Sequence, residues 1–117
     1  MSKPLEQLAK DPTQMRCPEL SGKVTGELRG YAGRFKALSD ETRLEMLGLL
    51  AAAEGHSLCS CHIEERFDLS QPTISHHLKV LREAGLVTSE RRGSWVYYAL
   101  DRRALRFLKE FRSLLRD

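Results

Sequence analysis

Apolar positions along the chain fall into helical stripes, interrupted once by a region of strand-like alternation. From Leu69 to Gly85, Ile74, Leu78 and Leu81 recur at i, i+4 and i+7, which predicts a helix with one buried stripe. Ser70 suits its N-cap, Pro72 its first turn, and Gly85 a left-handed stop. Upstream, Leu28, Tyr31, Phe35 and Leu38 form a stripe within a helix from Leu20 to Leu38. Gly22, Gly26, Gly30 and Gly33 weaken that helix in isolation, so it depends on tertiary or dimer contacts. Ser39-Asp40 then caps a helix that turns Leu44, Leu47, Leu50 and Ala51 inward and ends near Gly55. Cys59 to Phe67 reads as a short helix, or as a helix preceded by an extended pair. With Asp68-Leu69-Ser70 as the turn, residues 59–85 make a helix-turn-helix.

Beyond Gly85 the period changes. Leu86 to Ser89 and Trp95 to Leu100 are β-rich runs flanking a loop from Glu90 to Ser94, the pattern of a hairpin. A hairpin after a helix-turn-helix is a wing, with Arg91 and Arg92 at a tip where phosphate contact is available, although a solvated loop carries such arginines too. Asp101 caps a last helix with Ala104, Leu108, Phe111 and Leu115 at i, i+4, i+7 and i+11. Leu105, Phe107 and Leu114 widen its apolar face, which on a chain of 117 residues predicts a second subunit packed against it. The expected fold is mainly α with a β-hairpin wing, a dimeric winged helix-turn-helix over residues 19–117. Residues 1–18, with Pro4, Pro12 and Pro18, form an arm that carries Cys17.

The outward side of the Leu69 to Gly85 helix carries Thr73, Ser75, His76 and Lys79, with Gln71 at its N-terminus. These are hydrogen-bonding groups without negative charge, as insertion into a major groove requires. An ordinary amphipathic surface helix looks similar, and the flanking turn and wing favour double-stranded DNA as the partner. A net charge of +3 with a pI near 8.9 permits nucleic acid without arguing for it. No apolar run reaches membrane-spanning length and the N-terminus has no apolar signal core, so a cytoplasmic location with no membrane partner is expected. There are three cysteines, Cys17, Cys59 and Cys61. In a cytosolic setting their chemistry is metal binding or thiol reactivity rather than structural disulfides.

The stretch from Phe35 to Leu44 (FKALSDETRL), then Leu58-Cys59-Ser60-Cys61, then Leu69 to Leu100, resembles the arsenic-repressor (ArsR/SmtB) family of dimeric winged-helix metal sensors. The resemblance runs from about Tyr31 to Leu100. It implies a homodimeric transcriptional repressor that binds an operator and leaves it when metal binds. It aligns Gln71, Thr73, Ser75, His76 and His77 with the family's DNA-reading helix. The Cys59-x-Cys61 pair matches the family's thiolate site. The third cysteine of the arsenite-sensing pattern is Glu64 here, so Cys17, in an arm of the kind other members use, becomes the natural third ligand. The family's alternative site on the C-terminal helix is absent, because residues 101–117 contain no His.

On a regular helix, side chains two positions apart diverge by roughly 200°, whereas extended backbone puts both on one side. Chelation by both sulfurs therefore favours an unwound helix start. Soft thiolates select thiophilic ions, and three thiols without a fourth suit As(III) or Sb(III) as inducer. Pb(II) also fits, while Cd(II) or Zn(II) would want a fourth ligand, for which His56 and His62 flank the pair. Cys59 can also be read as a small buried hydrophobe. The alternatives are the same repressor triggered by one of those other ions or by thiol oxidation and, more remotely, a thiol enzyme such as an arsenate reductase. The last lacks a phosphate-cradling Gly loop, a strand leading to the Cys and a base built beside a nucleophile, so neither catalysis nor a catalytic cofactor is expected.

Overall fold

The computed structural model describes Glu19 and residues 22–115; the arm with Cys17 lies outside the described residues. The elements run α1 (Gly22–Leu38), α2 (Glu41–Ala52), a 3-10 turn (Glu54–His56), β1 (Ser57–Cys59), α3 (Ser60–Arg66), α4 (Gln71–Glu83), β2 (Val87–Arg92), β3 (Trp95–Leu100) and α5 (Arg103–Leu114). The strands form one antiparallel sheet in the order β1-β3-β2. This is the expected winged helix-turn-helix, with a third strand that alternation could not reveal.

Helix α4 forms as its residues dictate. Ser70 Oγ accepts from the Thr73 amide, Pro72 sits in the first turn, and Ile74, Leu78 and Leu81 are buried. At the far end the Leu86 amide bonds the Leu81 carbonyl and the Gly85 amide bonds the Arg82 carbonyl, each at 3.0 Å. That is a Schellman closure, and it needs the positive φ of 76° that Gly85 adopts at little cost. Leu86 and Val87 then enter the core at once, which fixes where the wing departs.

Three expectations need correction. In α2 the buried residues are Met46 and Leu50, while Leu44 is 51% exposed and Ala51 is exposed as well. This helix is apolar on most sides, so its period does not choose a face; packing against α1, α4 and the sheet does. Second, residues 90–92 are not loop. β2 runs on through Arg92, paired with Trp95, and the turn is Gly93-Ser94 alone. Positive φ at Gly93 (62°) and not at Ser94 is the type II′ arrangement, which matches strand twist. Third, α5 buries Ala104 and Phe107, whereas Leu108 and Leu115 are 40% and 66% exposed.

Helices α1 and α5 pack through an aromatic cluster. Tyr31 and Phe35 each meet both Phe107 and Phe111, with ring centroids 4.7–6.1 Å apart. The Tyr31 hydroxyl also reaches Glu110 Oε2 at 3.2 Å. Between α2 and α5 an apolar groove of about 690 Å³ is lined by Leu44, Leu47 and Ala51 of α2, Leu86, Leu100, and Leu108 of α5. Among the described residues no helix is long and apolar enough to cross a membrane.

Candidate nucleic-acid interface and thiol pair

Helix α4 presents Thr73, Ser75, His76 and Lys79 as exposed residues on the side away from Ile74, Leu78 and Leu81, with Gln71 exposed at its N-terminus. Thr73 Oγ1 is 2.8 Å from Ser70 Oγ, so its hydroxyl is already drawn into the cap. Lys79 Nζ lies 3.9 Å from Glu83 Oε1, an exposed pair that holds the ammonium only weakly. His77 stands apart from this set. Its side chain is 14% exposed and turned toward α2, with Nδ1 3.1 Å from Arg43 Nη1 and 3.9 Å from Asp40 Oδ2. Because Arg43 can only donate, His77 Nδ1 accepts and its proton sits on Nε2.

Arg43 joins three elements. Its Nε donates to the Ala37 carbonyl at 2.6 Å, closing α1, while its own amide donates to Asp40 Oδ2 at 3.1 Å, capping α2. That amide bond first, and then the positive charge of the Arg43 guanidinium, hold the Asp40 carboxyl below its ordinary value. The third link, to His77, fixes α4 against this junction. The resemblance grouped His77 with DNA-reading residues; the structure gives it a contact that positions the helix.

In the wing, Arg91 and Arg92 are ladder residues next to the turn and point to opposite faces. The Arg92 guanidinium lies 4.6 Å from the Tyr97 ring centroid, and its Nη2 is 3.2 Å from Glu90 Oε2. Arg91 has no ion pair or hydrogen bond among the described residues and is exposed. Trp95, opposite Arg92, is 56% exposed.

The thiols sit at the strand-to-helix junction that opens the helix-turn-helix. Cys59 ends β1, with φ −64° and ψ 144°, and is the N-cap of α3; Cys61 lies in the first turn. This junction, rather than a frayed helix, supplies the extended step that chelation was expected to need. The two sulfurs are paired as a disulfide, with the Cα atoms 5.2 Å apart. The Cys61 amide also donates to Cys59 Sγ at 3.3 Å. Cys59 is buried and Cys61 half-buried. Neither flanking histidine joins them: His56 Nδ1 is 2.9 Å from the Ala51 carbonyl, and His62 is exposed. Among the described residues no group of three or more His, Cys, Asp or Glu side chains gathers as a metal site. Once reduced, two soft donors on one side fit a thiophilic ion.

The expectation that no strand leads to the thiols is corrected: β1 ends at Cys59, opposite Tyr97 of β3, because so short a strand is fixed by its pairing with β3 and not by its own alternation. The signal was the alternation Trp95, Tyr97, Ala99, which marks a second face of β3 needing a neighbour.

Comparison with known proteins bears on this geometry. The family model for bacterial regulatory proteins of the arsR family matches residues 40–89, from the α2 cap to midway along β2. The chain is 42% identical over 74 residues to the arsenical resistance operon repressor of Bacillus subtilis, covering 63% of this chain and 69% of that protein. The chain belongs to the ArsR family. It is also 53% identical over 66 residues to an arsenic resistance transcriptional regulator of Pseudomonas putida, covering 56% of this chain and half the length of that relative. Among solved structures it is similar to the homodimeric winged helix-turn-helix DNA-binding domain of a possible ArsR-family regulator from Mycobacterium bovis. The TM-score there is 0.65 at 25% identity, covering 85% of this chain and 89% of the other. Membership of the ArsR family makes the chain a transcriptional regulator and not an enzyme.

Proposed function

We propose that the protein is a homodimeric repressor that holds operator DNA through α4 and the wing, and releases it when As(III) or Sb(III) binds Cys59 and Cys61, with Cys17 as third donor. The observation that carries this reading is the convergence of two sulfurs at the junction where α3 begins. A ligand that pulls on that junction strains the first helix of the DNA reader. The arsenical-resistance names of the Bacillus subtilis and Pseudomonas putida relatives support the choice of inducer. Gln71, Ser75 and His76 read base edges, with Thr73 beside them; Lys79, Arg91 and Arg92 meet phosphate; and His77 holds α4 in place. The apolar groove beside exposed Leu108, together with exposed Leu114 and Leu115, supports a second copy as the partner of α5. The arm of residues 1–18 supplies Cys17, within or across subunits. The pairing of Cys59 with Cys61 also favours a second reading, in which oxidation of these thiols triggers or blocks release.

The test begins with duplexes selected from a random pool by the purified protein. Release is then titrated with As(III), Sb(III), Pb(II), Cd(II), Zn(II) and peroxide. Cys59→Ser and Cys61→Ser should each keep operator affinity and lose release by arsenite, since a hydroxyl does not replace a thiolate donor. Cys17→Ser should weaken the response. Release requires arsenite to prefer the DNA-free form, and each tenfold of preference is worth about 1.4 kcal/mol per site. Equal arsenite affinity with and without operator would refute the sensor.

A further inference from the structure

We infer that Tyr97 is a positioning residue that ties the wing arginine Arg92 to the Cys59–Cys61 pair, so that a change at the pair reaches the wing as well as the helix-turn-helix. The inference rests on the proposed DNA-binding role of the wing, and goes beyond it by naming a route through the sheet.

Residues directly opposite in an antiparallel ladder lie on the same face. Cys59 pairs with Tyr97, and Tyr97 pairs in turn with Glu90, so these three form one row across β1, β3 and β2. Neighbouring strands are about 4.8 Å apart, which makes the row roughly 10 Å long. Arg92 follows Glu90 on that face. Its guanidinium is held from two sides, by the Tyr97 ring at 4.6 Å and by Glu90 Oε2 at 3.2 Å. The opposite face carries Leu58, Tyr98, Leu100 and Val87 into the core. The two faces therefore divide the labour: one anchors the sheet, and the other runs from the buried thiol to the wing cation.

Cys59 is 3% exposed and belongs to the ladder. Its sulfur cannot be drawn toward a new donor without a shift of the end of β1. Among the described residues that strand pairs only with β3, the strand that carries Tyr97 and Trp95. A displaced Tyr97 ring moves the surface on which Arg92 rests. Helix α3 offers a route to the reading helix, and this row offers a separate one to the wing.

Trp95 is the only tryptophan in the chain and lies opposite Arg92 on the same face, so its fluorescence reads the wing without a label. The experiment uses the full chain carrying Cys17→Ser, whose remaining thiols are the pair. Diamide closes the pair: two thiols give up two electrons and two protons to form the disulfide, and the diazene becomes a hydrazine. Thiol titration should fall from two groups to none, and Trp95 emission and its quenching by acrylamide should shift with it. Tyr97→Phe, which keeps the ring, should retain the shift. Tyr97→Leu should close the pair yet lose the shift. Arg92→Gln, at an exposed position, should lose it from the other end of the link. Closure without any change at Trp95, or an undiminished shift in Tyr97→Leu and Arg92→Gln, overturns the inference. As(III) is then added to the reduced parent chain, which keeps Cys17. Absence of arsenic–thiolate absorption would refute the metalloid reading alone, because the diamide arm decides the wing coupling independently.

Discussion

Helices α4 and α5 are of similar length and each buries one apolar stripe, but their second faces are opposite in kind. α4 buries Ile74, Leu78 and Leu81 and exposes amides, hydroxyls, an imidazole and an ammonium. α5 buries Ala104 and Phe107 and exposes Leu108, Leu114 and Leu115. The first stripe of each helix belongs to the fold of one chain. On the proposed function the second face answers to the class of partner: a polar surface with donors and acceptors for α4, an apolar one for α5. A single leucine on a surface needs no explanation, but three along α5 and its C-cap do, the first of them lining a 690 Å³ apolar groove.

The comparison is most easily broken at α5. Leu108→Glu with Leu115→Glu places charge where a second subunit should cover the helix, and an uncompensated buried charge costs about 3–5 kcal/mol. The dimer constant should weaken at least about a hundredfold, with operator affinity falling alongside it. Helical content should stay, because both side chains are already exposed in one chain. Sedimentation at micromolar concentration decides the matter: an intact dimer would show that the leucines cover nothing.

On α4 the complementary change is smaller and of another kind. Gln71→Ala and His76→Ala should leave thermal stability unchanged while each reduces discrimination between operator and random duplex by about tenfold, within the 1–3 kcal/mol of a good base contact. Leu78→Ala, on the other face, should cost about 2–5 kcal/mol of stability instead. Equal loss on operator and random DNA for the first two would show that this face does not read sequence.

These contrasts also show what the sequence could reveal. α4 was legible because its cap, its first-turn proline, its stripe and its terminal glycine are local, and all agree. α2 and α5 were legible as helices but not in orientation. Leu44, Met46, Leu47, Leu49 and Leu50 surround α2, and only packing against neighbours distant in sequence selects Met46 and Leu50. The wing turn was misplaced because Glu90, Arg91 and Arg92 are polar on both faces of a ladder that extends past the core, so alternation vanished where pairing continued. β1 is three residues long and exists through its pairing with β3, a contact some forty positions away. The candidate site divides the same way. Its residue types were readable, but the inward turn of His77 and the Cys59–Tyr97 pairing were not, because both are contacts between distant segments.

A lesser prediction sharpens the difference between reading and holding. Arg91 is exposed and free of ion pairs among the described residues, so on the proposed function Arg91→Ala removes one phosphate contact and nothing else. Affinity should fall about equally on all duplexes, and the salt slope should become shallower by about 0.9. Arg92→Ala should give a similar slope change plus a disturbed Tyr97. A sequence-dependent loss at Arg91 would move the wing from holding DNA to reading it.

The smallest expected effect lies in how the two helices begin. α4 is capped by a hydroxyl, Ser70, which does not titrate near neutrality. α5 is anchored by Asp101, whose Oδ1 accepts the Arg103 amide at 2.9 Å while its two oxygens take the Arg103 guanidinium at 3.1–3.3 Å. Those side-chain bonds first, and the backbone bond next, hold the Asp101 carboxyl below its ordinary value of 3.8. A carboxyl with a depressed value in the folded state contributes stability that is present above the unfolded value and is lost as pH falls through the folded one. Asp101→Asn should therefore lower the unfolding free energy measured in urea at pH 7 by a small amount, under about 1 kcal/mol for so exposed a partner as Arg103. The difference from the parent should vanish at a pH below the folded value. Ser70→Ala should cost about 1 kcal/mol at both pH values. If Asp101→Asn were equally destabilising at both, the anchor of α5 would be a matter of shape, and the two helices would differ in their partners but not in how acid loosens them.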